Sequence, residues 1–300
     1  MNNAWLILAA VALAGCAAVG TDAVMGTRPA YLQSVTEAVP NAAALRRRIW
    51  TPGLDADYVP QGLTSAGPYL FVGSYRPTPD LKANTGPCRV FRIEAATGRP
   101  AGQFDIPAGT CTHAGGLGYA GNGKLFLADT RALFLIDIDK ALATGTTAGA
   151  SRMVKIAGRL RGSYAAFDGK DFWIGSWTRD QAQARMFRLD PRLFDDHDGQ
   201  TVNEERAVES IRVPIEAQGA AFDKAGTLWV SASNSKWGRL YRLDRQGNVK
   251  AQFELPAGLE DLTVDDAGRL WSLSESGTRK YLGWATKFPY LFEIDVDKLR

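Results

Sequence analysis

No apolar stretch near the start of this chain reaches the roughly 20 residues that a membrane-spanning helix needs; the run from Ala4 to Ala14 stops far short. Charge of one sign is also missing. A formal net charge of +3 is too small to point to a nucleic-acid partner. There is no Gly-x-Ser-x-Gly elbow, no phosphate-binding loop and no His-Glu-x-x-His, which removes the commonest serine hydrolase, nucleotide and zinc-protease readings. The cluster Asp195-Asp196-His197-Asp198-Gly199 lacks the Asp-x-Asp-x-Asp-Gly calcium spacing and reads as a solvated loop. Glu260 and Asp261 are neighbours on one strand, so they point to opposite faces and do not flank one glycosidic bond.

What is present begins at the N-terminus. The apolar run ends in small residues, as a signal peptide does. Its last four positions, Leu13-Ala14-Gly15-Cys16, resemble the bacterial lipobox, although Met1-Asn2-Asn3 carries no Lys or Arg. The resemblance implies cleavage before Cys16, lipidation of that cysteine and stable anchoring to a membrane. Ala17 after the cysteine implies the outer membrane, facing the periplasm, in a bacterium with two membranes. The expected organisation is a signal peptide over 1–15, a lipidated cysteine and tether over 16–45 with a short helix from Ala30 to Ala38, and one folded domain over 46–300. In an oxidising envelope the remaining pair, Cys88 and Cys111, suggests a disulfide.

The folded part repeats itself. With a period of about fifty residues, an aromatic-centred apolar triplet recurs, as expected of a β-propeller: Leu70-Phe71-Val72, Leu125-Phe126-Leu127, Phe172-Trp173-Ile174, Leu228-Trp229-Val230 and Leu270-Trp271-Ser272. Each is followed by a strand ending in an acid: Glu94, Asp137, Asp190, Asp244 and Asp295. Recurrence in every unit makes these acids turn-formers, not catalysts. A fourth strand closes most units, as in Phe253-Glu254-Leu255-Pro256, but the last unit ends at Arg300 without one. Ile49-Trp50-Thr51-Pro52 fits the missing strand. The fold class is therefore all-β, a five-bladed β-propeller closed by an N-terminal outer strand, with a degenerate sixth blade within 21–57 as the alternative.

Function, if it follows the fold, sits on the face where inner strands begin. The starts read Gln61, Gly115, Ser163, Gln218 and Glu260, with Gly62, Gly116, Tyr164, Gly219 and Asp261 just inside. These positions break the repeat by being polar or small and unlike each other, as a site would. The loops on the same face add Arg76, Arg131, Trp177, Arg179 and Trp237, aromatic planes beside cations that suit a small anionic or sugar-like ligand. His113 stands two residues before its ring position and, with Glu260, is the candidate for general-base or metal chemistry.

Segments such as Gln218-Gly219-Ala220-Ala221-Phe222-Asp223-Lys224-Ala225-Gly226-Thr227-Leu228-Trp229-Val230 resemble the gluconolactonase/senescence-marker-type and NHL-type propellers. The resemblance implies a divalent metal held at the channel mouth by oxygen ligands. At comparable positions stand Gln61, Ser163, Gln218 and Glu260, so calcium or zinc is the cofactor class to look for. Two functions from different classes follow: a lipid-anchored binding or scaffold module for an envelope protein or small ligand, and a metal-assisted hydrolase of lactones or related esters.

Overall fold

A computed structural model describes residues 23–300 apart from residue 83, so the expected signal peptide over 1–15 and Cys16 lie outside the described residues. Five separate sheets, antiparallel but for one two-residue strand, account for the strands. Blade one comprises Val59–Ala66, Tyr69–Pro77, Asn84–Glu94 and Pro100–Ile106. Blade two comprises Gly116–Tyr119, Lys124–Asp129, Ala132–Asp137 and Ser151–Ile156, with Thr201–Val202 added in parallel at its rim. Blade three comprises Tyr164–Phe167, Phe172–Gly175, Arg185–Leu189 and Glu209–Arg212. Blade four comprises Ala217–Phe222, Leu228–Ser233, Gly238–Leu243 and Val249–Leu255. Blade five takes Leu259–Val264, Leu270–Ser274 and Tyr290–Ile294 from the C-terminal end and Leu45–Trp50 from the other, which closes the ring.

The aromatic triplets are continuous apolar runs because both faces of each blade are covered by its neighbours. Leu125 and Leu127 pack toward blade one, whereas Phe126 turns the other way and stacks on Phe172 at 4.0 Å between ring centroids. In blades three, four and five a hairpin aspartate adds a second tie. Asp168, Asp223 and Asp265 accept the indole N–H of Trp173, Trp229 and Trp271 at 2.9, 3.2 and 3.1 Å. Their other oxygens accept amides of the same turn.

Three of the five acids at the third-strand ends bond amides of the turn that follows, whereas Asp295 pairs with Arg46 instead. Asp137 caps the helix Ile138–Thr144 by accepting the Lys140 amide, Asp190 accepts that of Arg192, and Asp244 those of Gln246 and Asn248. Asp190 is held down at about 2 by its bonds to the Arg192 side chain and amide.

The segment before the first strand differs from expectation. Ala30 to Ala38 is not a helix; it runs without regular secondary structure against blade five, where Leu32 is buried. Thr36 and Lys287 exchange hydrogen bonds, and Met25 bonds both sides of Ile49 through the backbones of Arg48 and Trp50. Tertiary partners and the β-branched Val35 and Thr36 outweigh the local tendency to helix. Cys88 and Cys111 form a disulfide with both residues wholly buried. Among the described residues no helix is long and apolar enough to cross a membrane.

Candidate functional site

Five inner strands meet around the axis with little room between them. A Cβ on Gly116 would fall 2.0 Å from the Ala165 nitrogen, one on Gly219 2.4 Å from the Asp261 Cα, and one on Gly62 2.9 Å from the Ala114 oxygen. These small positions are thus where neighbouring inner strands touch; packing explains their size. Asp261 sits in the same crowding, fully buried. Its Oδ2 accepts the amides of Leu63 in blade one at 2.9 Å and Leu117 in blade two at 3.0 Å, so one carboxyl of blade five ties three blades together. Asp261 Oδ1 and the buried Tyr164 hydroxyl have no hydrogen-bond partner among the described residues. Burial pushes both groups upward in pKa, against the pull of the Leu63 and Leu117 amides on Asp261.

Toward the face where the inner strands begin, three of these strands bulge, and each bulge carries a polar side chain. The register shifts at Gln61 in blade one, at Gln218 in blade four and across Glu260-Asp261 in blade five. A bulge re-aims the extra side chain out of the blade interface. The displaced carbonyls are not left bare: Ser231 donates to the Glu260 oxygen at 2.6 Å and Ser272 to the Asp261 oxygen at 3.0 Å. That explains the wholly buried Ser231 and Ser272. The pairing of blades two and three shows no such shift.

The re-aimed side chains converge on one another through Glu275, which follows the second strand of blade five. Gln61 Nε2 donates to Glu275 Oε2 at 2.8 Å, and Gln218 Nε2 donates to Glu260 Oε1 at 2.9 Å. The Glu275 carboxyl lies close enough to Glu260 to add to the rise in its pKa. Both are nearly solvent-free, Glu260 at 1% and Glu275 at 6% exposure. Burial, reinforced by the neighbouring carboxyl, drives Glu260 far above the usual range, and burial takes Glu275 to about 8. Over the pair lies an insertion of blade five. Lys280 Nζ reaches the Tyr75 hydroxyl at 3.1 Å, and the Tyr75 and Tyr281 hydroxyls meet at 3.5 Å.

His113 lies on the far side of Tyr75, stacked on its ring at 5.3 Å between centroids. Asp129 Oδ1 gathers the amides of Thr112, His113 and Ala114 at 3.1, 2.7 and 2.9 Å, which fixes the backbone that carries the imidazole. Burial pushes His113 down to about 4, against the attraction of Asp129. His113 and Glu260 do not bond each other. Cys88, Cys111 and Asp129 lie close enough for a metal, but the two sulfurs are bonded together and hold no thiolate to offer.

A second constellation sits over the junction of blades three and four. Trp177 is 39% exposed, and the Arg179 guanidinium lies 5.4 Å from its ring. Arg179 Nε donates to Glu216 Oε1 at 2.7 Å, and Asn234 Nδ2 donates to the other Glu216 oxygen at 2.8 Å. Glu216 has a positive φ of 57°, but so do Asp57, Ala114 and Gly258 at the same entry to their inner strands. The left-handed residue therefore belongs to the repeat and is no sign of a strained site. Trp237 packs into the same junction beneath Arg239. Ser163 is partly exposed and donates its amide to Gly175, Arg76 is exposed beside Tyr58, and Arg131 is exposed beside Arg161.

The structure thus brings Gln61, Gln218 and Glu260 together, sets Trp177 beside Arg179, links His113 to the first group only through the Tyr75 ring, and leaves Arg76 and Arg131 apart from both. Glu275 and Glu216 are the site residues that sequence reading missed. A signal existed for the first: Gln61-Gly62 and Gln218-Gly219 mark bulges, and bulged polar residues need partners.

No family model matches this chain, and no curated protein does. Among solved structures it is similar to a catalytically inactive variant of virginiamycin B lyase from Staphylococcus aureus, crystallised with quinupristin, at 13% identity. That match covers 75% of this chain and 80% of the other, with a TM-score of 0.38. It is also similar to the PQQ-bound aldose sugar dehydrogenase from Streptomyces coelicolor at 17% identity, over 78% and 80% of the two chains, with a TM-score of 0.42. The five-bladed propeller stands on its own sheets.

Proposed function

We propose that this protein is a lipid-anchored propeller of the cell envelope that works as a binding module through its channel face. The observation that carries the reading is Trp177, an exposed indole whose companion Arg179 is clamped by the buried Glu216. Aromatic and arginine side chains held rigid at a surface are the residue types that dominate binding energy. Closure of the channel by Asp261 and the inner-strand glycines leaves the face, not the axis, for recognition. The lipobox-like Leu13-Ala14-Gly15-Cys16 supports the anchor. The test is photo-crosslinking in intact cells from position 179 and, as a control, from position 197 at the other end of the blades. Partner or ligand adducts from position 179 alone are expected; equal labelling from both would remove the reading.

A second reading, a metal-assisted hydrolase of lactones or related esters, is favoured by the convergence of Gln61, Gln218, Glu260 and Glu275. Two carboxyls and two amides that can turn their oxygens inward form an all-oxygen donor set, which fits calcium and not zinc. A bound cation would act as a Lewis acid on a substrate carbonyl. Near-stoichiometric calcium after purification without chelator, lost in Glu275→Gln together with lactone hydrolysis, would shift the assignment to this reading.

A further inference from the structure

A cavity of about 550 Å³ opens on the rim between blades five and one, within the roughly 300–1,000 Å³ of small-ligand sites. Residues 50–56, which lead from the closing strand to blade one, wall one side, and the third and fourth strands of blade one wall the other. Trp50, Leu54, Phe91 and Ile93 give it buried apolar surface. Pro29, Pro52 and Pro100 stiffen it, because the ring of proline fixes φ. The polar groups along the wall are already engaged. Both oxygens of Asp105 accept from Arg89, at 2.6 and 2.9 Å. Arg92 sets its guanidinium over Tyr69 and onto the Ala101 carbonyl, neither of which lines the cavity. Thr51 donates its hydroxyl to the Pro289 oxygen at 3.1 Å, and the exposed Asp55 accepts the Ala30 amide at 2.9 Å. A cavity with buried apolar walls and its charges paired is a poor place for water and gains from an apolar occupant.

The remaining wall bears on where such an occupant comes from. Thr27 and Pro29 line the cavity and belong to the segment that leads back to the N-terminus. Met25 is tied to the closing strand by two backbone bonds of 2.9 Å, so the chain is held at this opening. From Cys16 to Thr27 is eleven residue steps, which span at most about 40 Å when fully extended. A membrane-anchored Cys16 therefore keeps acyl chains within reach of the cavity. We infer that this cavity takes up a single acyl chain, from the anchor on Cys16 or from a lipid of the same membrane. The inference rests on the anchored reading and gives the propeller rim a lipid site of its own. An acyl chain is flexible and free of hydrogen-bonding groups, which matches walls of separate aromatic and aliphatic side chains.

The experiment grows cells that produce the full chain on a palmitate carrying a diazirine, irradiates them, and maps adducts on the digested protein by mass spectrometry. Label is expected on the peptides of Leu54, Phe91 or Ile93, and in excess of that on peptides carrying Val208 and Val249, which are exposed and apolar but far from the cavity. Gln103→Trp and Ala56→Trp, which narrow the opening at exposed lining positions, should each cut that label about tenfold by filling the space. Ala96→Trp, exposed on the neighbouring hairpin and outside the lining, should label like the parent. Near-ultraviolet circular dichroism checks that each variant is folded. An adduct that joins a cavity peptide to the Cys16 peptide would identify the anchor as the source, and a phospholipid adduct on the cavity peptide would identify the bilayer. An unlabelled cavity, or full label in both folded narrowing variants, would overturn the inference. An unmodified Cys16 would remove the anchored reading, while a cavity labelled by phospholipid in that same protein would still uphold the acyl-chain site.

Discussion

Glu275 decides what the channel mouth can do, because its carboxyl reinforces the burial that raises the pKa of Glu260. The pair keeps its protons to higher pH in the folded protein than in the unfolded chain, where glutamates release theirs near about 4.3. Its contribution to stability is therefore complete below that value and is lost as pH rises through about 8, the range to which burial raises Glu275. Melting temperatures measured in chelator should fall from about pH 5 to 8, and the double variant Glu260→Gln/Glu275→Gln should flatten that slope. A slope unchanged in the double variant would place the titration elsewhere. His113 shifts the other way. Folded, it stays neutral down to about 4, whereas the unfolded imidazole protonates near about 6.5, so its contribution is lost as pH falls between the two. Its imidazole proton resonances should not move between pH 5.5 and 8; a midpoint near neutrality would show that the ring is not shielded as described.

At the scale of the element, the inner strand does two jobs that compete for the same residues. It must bring five backbones together, which demands glycine, and it must aim polar groups at the face, which demands a bulge. Gln61-Gly62 and Gln218-Gly219 meet both demands with adjacent residues. Gly219→Ala should cost more than about 2 kcal/mol, because its Cβ would press on the Asp261 backbone, which cannot yield as a side-chain tip could; urea unfolding would measure it. The disulfide acts on the loop that carries His113. With a sequence separation of 23 from Cys88 to Cys111, replacing both by alanine should cost about 3 kcal/mol by the chain-entropy account. A shift in the urea midpoint near zero would mean that Asp129 and its three amide bonds hold the loop alone. Strand positions and three of the five turn acids were legible in the sequence because each obeys a local rule that recurs among the blades. The Glu260–Glu275 pair was not, since it joins a bulge to an insertion that no repeat predicts. The segment from Ala30 to Ala38 misled because the helix expectation used local sequence alone, while its conformation is set by contacts with blade five.

For the whole molecule, closure is the property that the other scales depend on. Leu45–Trp50 pairs with Tyr290–Ile294 across nearly the full chain length, and Asn41 exchanges hydrogen bonds with the backbone of Arg300. Ile49 is wholly buried, and Trp50 packs on Tyr290 at 4.6 Å between ring centroids. Burial of two such side chains stabilises the ring by about 1.5–3 kcal/mol each. Without that strand, Tyr290–Ile294 becomes an unpaired edge, a template for association with another chain. The same blade supplies Asp261 to blades one and two and Glu275 to Gln61, so loosening it should reach the axis and the channel mouth together. A chain beginning at Gly53 should therefore elute as aggregate in size-exclusion chromatography, whereas one beginning at residue 23 should elute as a single discrete species. Adding the peptide of residues 41–52 to the shorter chain during refolding should restore the discrete species. A discrete, fully folded chain from Gly53 without the peptide would show that four blades and three strands hold the ring on their own.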